Sequence, residues 1–241
     1  MPPAIDITFA GQPLTLLPER AVLHPPSSTL FLSDLHLGKP ASYRALAAPV
    51  PESVTDADLA RLSALLTQHR PDHLCILGDL LHDSHYTSPE TLSRLLTWRA
   101  AHASLHISLI LGNHDLRAGS PHPSLNISAH HPPHSHHAFT LLHDPADAHP
   151  DHFSLAGHLH PAARLAPASR RAGPTPLRAP CFWLSPALLI LPAFSRFTGS
   201  AIITPREGER VFVTHDDTIL EAPTLAPITR PRVRSRSRSA R

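Results

Sequence analysis

The chain is poor in the residues that mark several protein classes. Of its 241 residues only two are cysteines, Cys75 and Cys181. Both stand inside apolar runs, HLCILG and APCFWL, which reads as two reduced core thiols rather than a disulfide or thiolate ligands. A chain of this length can bury a real core and needs no disulfide or structural-metal staple. No apolar run approaches the roughly 18 residues of a membrane span. The opening stretch, MPPAIDITFAG, has no charged start followed by an apolar segment, so it is unlike a signal peptide. Secreted and integral-membrane classes are excluded, and a cytoplasmic protein is expected. Lysine is almost missing as well: Lys39 stands alone beside 20 arginines, 21 histidines and 28 prolines. That skew looks like coding bias, which by itself accounts for most of the histidines. Aromatic residues make up 5% of the chain, and no basic patch is interleaved with them as in a single-strand groove. Tyr43, Phe182 and Trp183 are the candidates for such a role.

The formal charge of +2 is carried by one end. Residues 230–241 hold six arginines and no acid, which leaves −4 for the rest. The sequence therefore divides into a domain at 1–222 and a basic Arg/Ser-rich tail at 223–241, expected to be disordered. Residues 130–137 (HHPPHSHH) read as an unstructured Pro/His loop.

Within the domain, short extended segments (IDITF, PLTLL, AVLH) precede a strand at 29–33. Residues 56–69 place Leu59, Leu62, Leu65 and Leu66 on one helical face, with Asp56 as the expected cap. The runs HLCILGD and HISLILGNHD flank a second helix at 88–102, opened by Ser-Pro-Glu. Strand, helix, strand, helix, strand predicts an α/β layered fold. The second half reads as further strands, forming two sheets packed face to face with helices outside.

Four motifs lie at the carboxyl ends of these strands, where open α/β sheets place ligands. They are Asp34-Leu35-His36-Leu37-Gly38-Lys39, Gly78-Asp79, Gly112-Asn113-His114-Asp115 and Gly157-His158-Leu159-His160. His143 ends the strand-like AFTLLH between the last two. In an extended chain residues two apart share a side, so Asp34 and His36 can reach one metal, and His158 and His160 can serve neighbouring metals. Glycines before Asp79 and Asn113 allow a sharp turn at the sheet edge. Carboxylate, amide and imidazole donors without thiolate suit Mn²⁺, Fe²⁺ or Zn²⁺. Each motif alone is weak in a chain so rich in histidine; the ordered set, each at a strand end, carries the argument.

The set DLH, GD, GNHD, H, GHLH resembles the calcineurin-like metallophosphoesterase superfamily. Residues 34–62, GDLLH at 78–82 and LPAFSRFTGS at 191–200 further resemble the bacterial ligase-associated DNA damage response endonuclease family. That resemblance implies a four-layer α/β/β/α sandwich of the metallo-dependent phosphatase type. It implies two divalent ions, Mn²⁺ first, with Asp34, His36 and His160 on one, Asn113, His143 and His158 on the other, and Asp79 bridging. It implies that His114 is the acid–base residue, with Asp115 orienting it. Lys39, Arg44 and His82 follow the ligand motifs and are candidate phosphate contacts. The implied activity is endonucleolytic hydrolysis of single-stranded DNA in repair, in functional association with a DNA ligase, an exonuclease and a helicase, and with no membrane partner. Two alternatives remain from the residues. One is a nucleotide-sugar or dinucleotide pyrophosphatase of the same superfamily; the lipid-precursor type has Arg where this chain has His114. The other is a His-rich metal- or nucleic-acid-binding protein without catalysis.

Overall fold

The structure, a computed structural model, describes residues 4–165 and 177–223. The expected tail lies outside the described residues, apart from Pro223.

Two sheets carry the fold. The first has the order β1 (Ile5–Phe9), β2 (Gln12–Leu17), β3 (Ala21–His24), β4 (Thr29–Leu32), β5 (His73–Ile76), β6 (His106–Ile110), β7 (Ser128–His130). Its first four strands run antiparallel, and β4 to β7 are parallel. The second sheet is formed by β8 (His134–His136), β9 (Phe139–Leu141), β10 (Ser154–Ala156), β11 (Pro161–Leu165), β12 (Leu177–Leu184), β13 (Leu188–Ile190) and β14 (Ala201–Ile202). Its order is β14-β11-β12-β13-β10-β9-β8, and the hairpin of β15 (Arg210–His215) and β16 (Thr218–Glu221) joins it on β12.

Strand alternation shows how the layers form. In β4, Leu30 and Leu32 join a core with Leu59, Leu62, Leu65 and Leu66 of α2 (Ser53–His69) and Leu95 of α3 (Pro89–Ala101). Phe31, between them, faces the opposite way into a core with Phe139, Leu155, Phe182, Leu189 and Phe212 of the second sheet. In β5, Leu74 and Ile76 take the helix side and Cys75 the inter-sheet side. The central parallel strands are thus apolar on both faces, as strands covered on both sides must be. Cys75 and Cys181 are buried and unpaired, and burial pushes both thiols up to about 12.

Two expectations need correction, and one element is new. Asp56 does not cap its helix; the chain turns in at Glu52, and Asp56 instead pairs with Arg94 of α3. Residues 130–137 are not a loose loop. His130 ends β7 and pairs with the first sheet, while His134–His136 pair with Phe139–Leu141 in the second. A short helix that the sequence did not suggest, α1 (Lys39–Ala45), follows directly on the first motif.

Candidate metal centre

The parallel strands end at one edge, and the loops that leave them carry the motifs. The loop after β4 and the loop after β5 are laced together by backbone hydrogen bonds. Asp34 N–H donates to Gly78 O (3.0 Å), His36 N–H to Asp79 O (2.9 Å) and Leu37 N–H to Leu80 O (2.8 Å). Asp34 and His36 do not share the face of an extended strand, as the spacing suggested. Both have left-handed backbones, φ 57° and 50°, as do Asp79 (51°), His158 (70°) and His160 (48°). Left-handed backbone costs a residue with a Cβ about 1–2 kcal/mol, and such strain gathers at functional sites.

The turns bring two groups of side chains together. Asp34, His36 and His160 form one and Asp79, His143 and His158 the other; within each, one donor atom per residue lies within 4.8 Å of the others. Asp79 stands between them, its Oδ2 3.9 Å from His36 Nε2 and 3.4 Å from His143 Nε2. Asn113, at the start of α4 (Asn113–Ala118), brings its Oδ1 to 3.2 Å from His143 Nε2. Two glycines make room. A Cβ on Gly78 (φ +84°) would meet His143 Nδ1 at 2.1 Å, and one on Gly112 would meet Asp79 Oδ1 at 2.3 Å. At Gly112 the requirement is close approach rather than a turn, since its φ is −95°.

The hydrogen bonds around the groups fix which atoms face inward. His143 Nδ1–H donates to Leu77 O (3.0 Å), and His160 Nδ1–H donates to Gly199 O (3.1 Å). In the neutral rings Nε2 is then a lone-pair atom. The carboxylates are oriented likewise: His114 N–H donates to Asp79 Oδ1 (2.9 Å) and His158 N–H to Asp34 Oδ2 (3.1 Å). Asp34 Oδ1 is buried without a hydrogen-bond partner although His160 Nε2 lies 3.2 Å away. With both rings neutral, acceptor would face acceptor at His160–Asp34, and again at His143–Asn113. A cation satisfies both sets at once, and backbone carbonyls behind metal-facing imidazoles are the usual outer support of such ligands. The donor set therefore fits divalent ions.

The pKa shifts follow the same crowding. Burial, with the nearby His160 and His114, drives His36 down to about 2. Burial also opposes protonation of His143, yet the Asp79 and Asp34 carboxylates outweigh it and raise His143 to about 9. The carboxylates thus favour positive charge at His143 and His160, while His36 stays a neutral lone-pair donor.

Other expected residues fall differently. Asp115 does not orient His114. Its buried carboxylate accepts from the backbone N–H groups of Asp79 (2.8 Å), Gly112 (2.9 Å) and Leu81 (2.8 Å), and so ties two motif loops together at the start of α4. Burial raises its pKa to about 6. His114 is oriented by a carbonyl instead: its Nδ1–H donates to His82 O (2.7 Å), and its ring lies 4.7 Å from that of His36. His82 stacks on His114 (4.7 Å, 20°) and brings Nδ1 to 3.4 Å from His36 Nδ1, so His36, His82 and His114 form a third, overlapping group. Arg44 is no phosphate contact, because its guanidinium is taken by Val50 O (2.9 Å) and Glu52 (2.7 Å). Lys39 stays near the centre, where its charge helps to lower His36, and its Nζ lies 5.5 Å from the Phe197 ring.

Sequence reasoning also passed over the support supplied by residues 191–199. Phe194 N–H donates to Ser33 O (2.8 Å), Ser195 N–H to Asp34 O (3.3 Å), and Gly199 O holds His160. The LPAFSRFTGS resemblance was the only signal for it.

Residues 27–158 match the model of the calcineurin-like phosphoesterase family. The chain belongs to the calcineurin-like phosphoesterase family. The solved structure of Pseudomonas putida nuclease MPE is similar over nearly its whole length: 39% identity, TM-score 0.76, with 88% of this chain and 96% of that chain covered. A search of curated proteins found no match. This calcineurin-like phosphoesterase is a metal-dependent hydrolase of phosphate esters. None of its described helices is long and apolar enough to cross a membrane.

Proposed function

We propose that the chain is a two-metal phosphodiesterase that cuts single-stranded DNA endonucleolytically, with Mn²⁺ as its working ion and repair in the cytoplasm as its setting. In this reading Asp34, His36 and His160 hold one ion, Asn113, His143 and His158 the other, and Asp79 touches both. The observation that carries it is the inward set of acceptors, with Asp79 Oδ2 lying between His36 Nε2 and His143 Nε2. Bound there, the ions supply Lewis acidity at a phosphoryl oxygen and water of lowered pKa.

The protein's own groups do the rest. The His82 carbonyl holds the Nδ1–H of His114, so Nε2 is the exchanging atom: in the imidazolium its proton goes to the leaving oxygen as that departs, and the ring is left neutral. Asp115 holds the backbone of Asp79 and Gly112, which keeps the bridging carboxylate in place. The polynucleotide substrate is supported by the resemblance to a nuclease over most of the chain. It is supported too by an aromatic pair beside the centre: Tyr43 and Phe197 pack edge to face at 5.5 Å, with Tyr43 39% exposed and Lys39 over Phe197. Aromatic faces of this kind stack unpaired bases. Action beside a DNA ligase, an exonuclease and a helicase belongs to the same proposal.

The test is turnover of bis(p-nitrophenyl) phosphate and of a circular single-stranded DNA with added Mn²⁺. Both should be hydrolysed, both reactions should stop with chelator, and both should be lost in Asp79→Ala. Cleavage of a nucleotide sugar or dinucleotide in preference to DNA would replace the proposal with the pyrophosphatase reading. Near-normal turnover by metal-stripped Asp79→Ala protein would sink the two-metal assignment.

A further inference from the structure

Behind the segment that borders the metal centre lies a cavity of about 200 Å³ whose walls carry four arginines. Arg20 comes from the turn between β2 and β3, Arg61 from α2, Arg178 from β12 and Arg196 from the 191–199 segment. Arg20, Arg61 and Arg196, from three distant parts of the chain, lie close enough to repel one another, so their convergence needs a cause. Two are anchored by the segment's own carbonyls. Arg20 Nη1 donates to Ala193 O (3.2 Å) and Ser195 O (3.3 Å), while Arg61 Nη2 donates to Phe194 O and the guanidinium lies 4.1 Å from the Phe194 ring.

Acids do not balance the set. Asp58, buried behind the wall, pairs with Arg61 (3.3 Å) and accepts from the Arg196 backbone N–H (3.3 Å). Glu19 and Asp216 also line the cavity, but neither forms an ion pair with any of the four. Among the described residues the Arg178 and Arg196 guanidinium groups have no hydrogen-bond or ion-pair partner, and Arg61 Nε is buried without one. The crowding shifts the groups as well: burial and then Arg196 lower Arg20 against the pull of Asp58, and burial, Arg20 and Arg196 bring Arg61 down to about 10 against the pull of Asp58 and Glu19. The exposed Arg178 and Arg196 line an open hollow beside the buried Arg61 Nε, and guanidinium donors without a protein partner suit the oxygens of a phosphate.

We propose that this cavity is an anion site that holds a backbone phosphate of the bound strand, away from the phosphate being cut. The proposal rests on the polynucleotide reading above. Its position supports that role. Residues 193–195 face the arginines through their carbonyls, and Phe194 and Ser195 brace the metal-site loop through their N–H groups. A strand crossing this segment would meet the cavity on one side and the metal centre on the other.

The test uses the full chain carrying Arg178→Gln and Arg196→Gln, two side chains with no structural partner to lose. Hydrolysis of bis(p-nitrophenyl) phosphate, too small to reach the cavity, should be unchanged. Binding of a fluorescent single-stranded 20-mer, read by anisotropy in chelator so that no cutting is required, should weaken about tenfold. The salt slope should fall by about 0.7, the value for a single phosphate no longer neutralised. Unchanged affinity and slope would overturn the proposal, as would an equal loss on the chromogenic diester, which would mean that the arginines act through the metal loop. If inorganic phosphate raises the melting temperature of wild type but not of the variant while strand affinity stays the same, the site takes free phosphate and the strand assignment is wrong. Wild-type protein that turns over the chromogenic diester and leaves DNA intact would remove the nuclease reading, while the binding comparison would still decide the anion site.

Discussion

Gly78→Ala separates the two demands that the metal centre makes on its backbone. At Gly78 the chain has φ +84°, and an added Cβ would sit 2.1 Å from His143 Nδ1 and 2.5 Å from Cγ. At Gly208 φ is almost the same, +85°, but a Cβ would meet nothing within 4 Å. The left-handed backbone costs alanine about 1–2 kcal/mol. Restricting the unfolded chain returns about 0.4–1 kcal/mol. Gly208→Ala should therefore cost about 1 kcal/mol, which is roughly 2–4 °C in a protein of this size, and leave activity intact. Gly78→Ala bears the same backbone cost and must also displace the His143 ring, which loses its bond to Leu77 O and its place between Asp79 and Asn113. Its activity loss should exceed the roughly 10–100-fold seen when only an outer partner of a ligand is removed. The assay is Mn²⁺-dependent hydrolysis of a chromogenic diester together with metal content per chain, measured on both variants. Gly78→Ala protein with two ions and near wild-type turnover would refute the reasoning, because the ring could then not be where the structure puts it.

Three further outcomes are expected. His114→Ala should keep its metal and lose little activity on a nitrophenyl ester, whose leaving group needs no proton, yet lose about 10²–10⁴-fold on DNA; equal losses on both substrates, measured by steady-state rates, count against a general acid. Asp115→Ala strips acceptors from three buried N–H groups, so chemical denaturation should show at least about 3 kcal/mol of destabilisation, a change that a mere orienter of His114 would not cause. Burial and neighbouring histidines hold His73 and His136 at about 4, against an ordinary value of 6.5. The unfolded chain takes up those protons first, so stability should fall as pH drops from about 6.5 towards 4; His73→Gln should flatten that fall in urea titrations, and an unaltered slope would count against it.

The sequence made the strand-end motifs legible because each is an apolar run that stops abruptly at glycine and polar residues. The inward alternation of Leu30, Phe31 and Leu32 is equally local. What stayed hidden depends on contacts distant along the chain. Arg44 follows the first motif closely enough to suggest a phosphate contact, and only folding reveals Glu52 beside it. Asp115 is adjacent to His114, but its side chain turns back to cap its own helix, because Asp three residues after the cap position finds free N–H groups there. Residues 130–137 have a composition typical of a loop, and pairing with Ile110 on one side and Leu141 on the other makes strands of them. Tertiary hydrogen bonding overrides composition at such edges.

The site's five left-handed residues raise the question of what sustains them. At about 1–2 kcal/mol each, their combined strain is comparable to the net stability of an ordinary domain. With His160 neutral, facing acceptors such as Asp34 Oδ1 and His160 Nε2 add repulsion, which a proton or a metal ion removes. The loops cannot relax by sliding, because the strands that launch them are packed on both faces, by Leu30 and Leu32 against helices and by Phe31 and Cys75 against the second sheet. Nor can they swing outward, because Asp115, the Leu77 and Gly199 carbonyls and Ser195 tie them from behind. The double core thus holds the ligands in place before any metal arrives, so the ions meet a site whose ordering cost has already been met by folding. Metal affinity should then depend on these ties as much as on the ligands themselves, since each tie that is cut lets strain escape into a geometry that no longer converges.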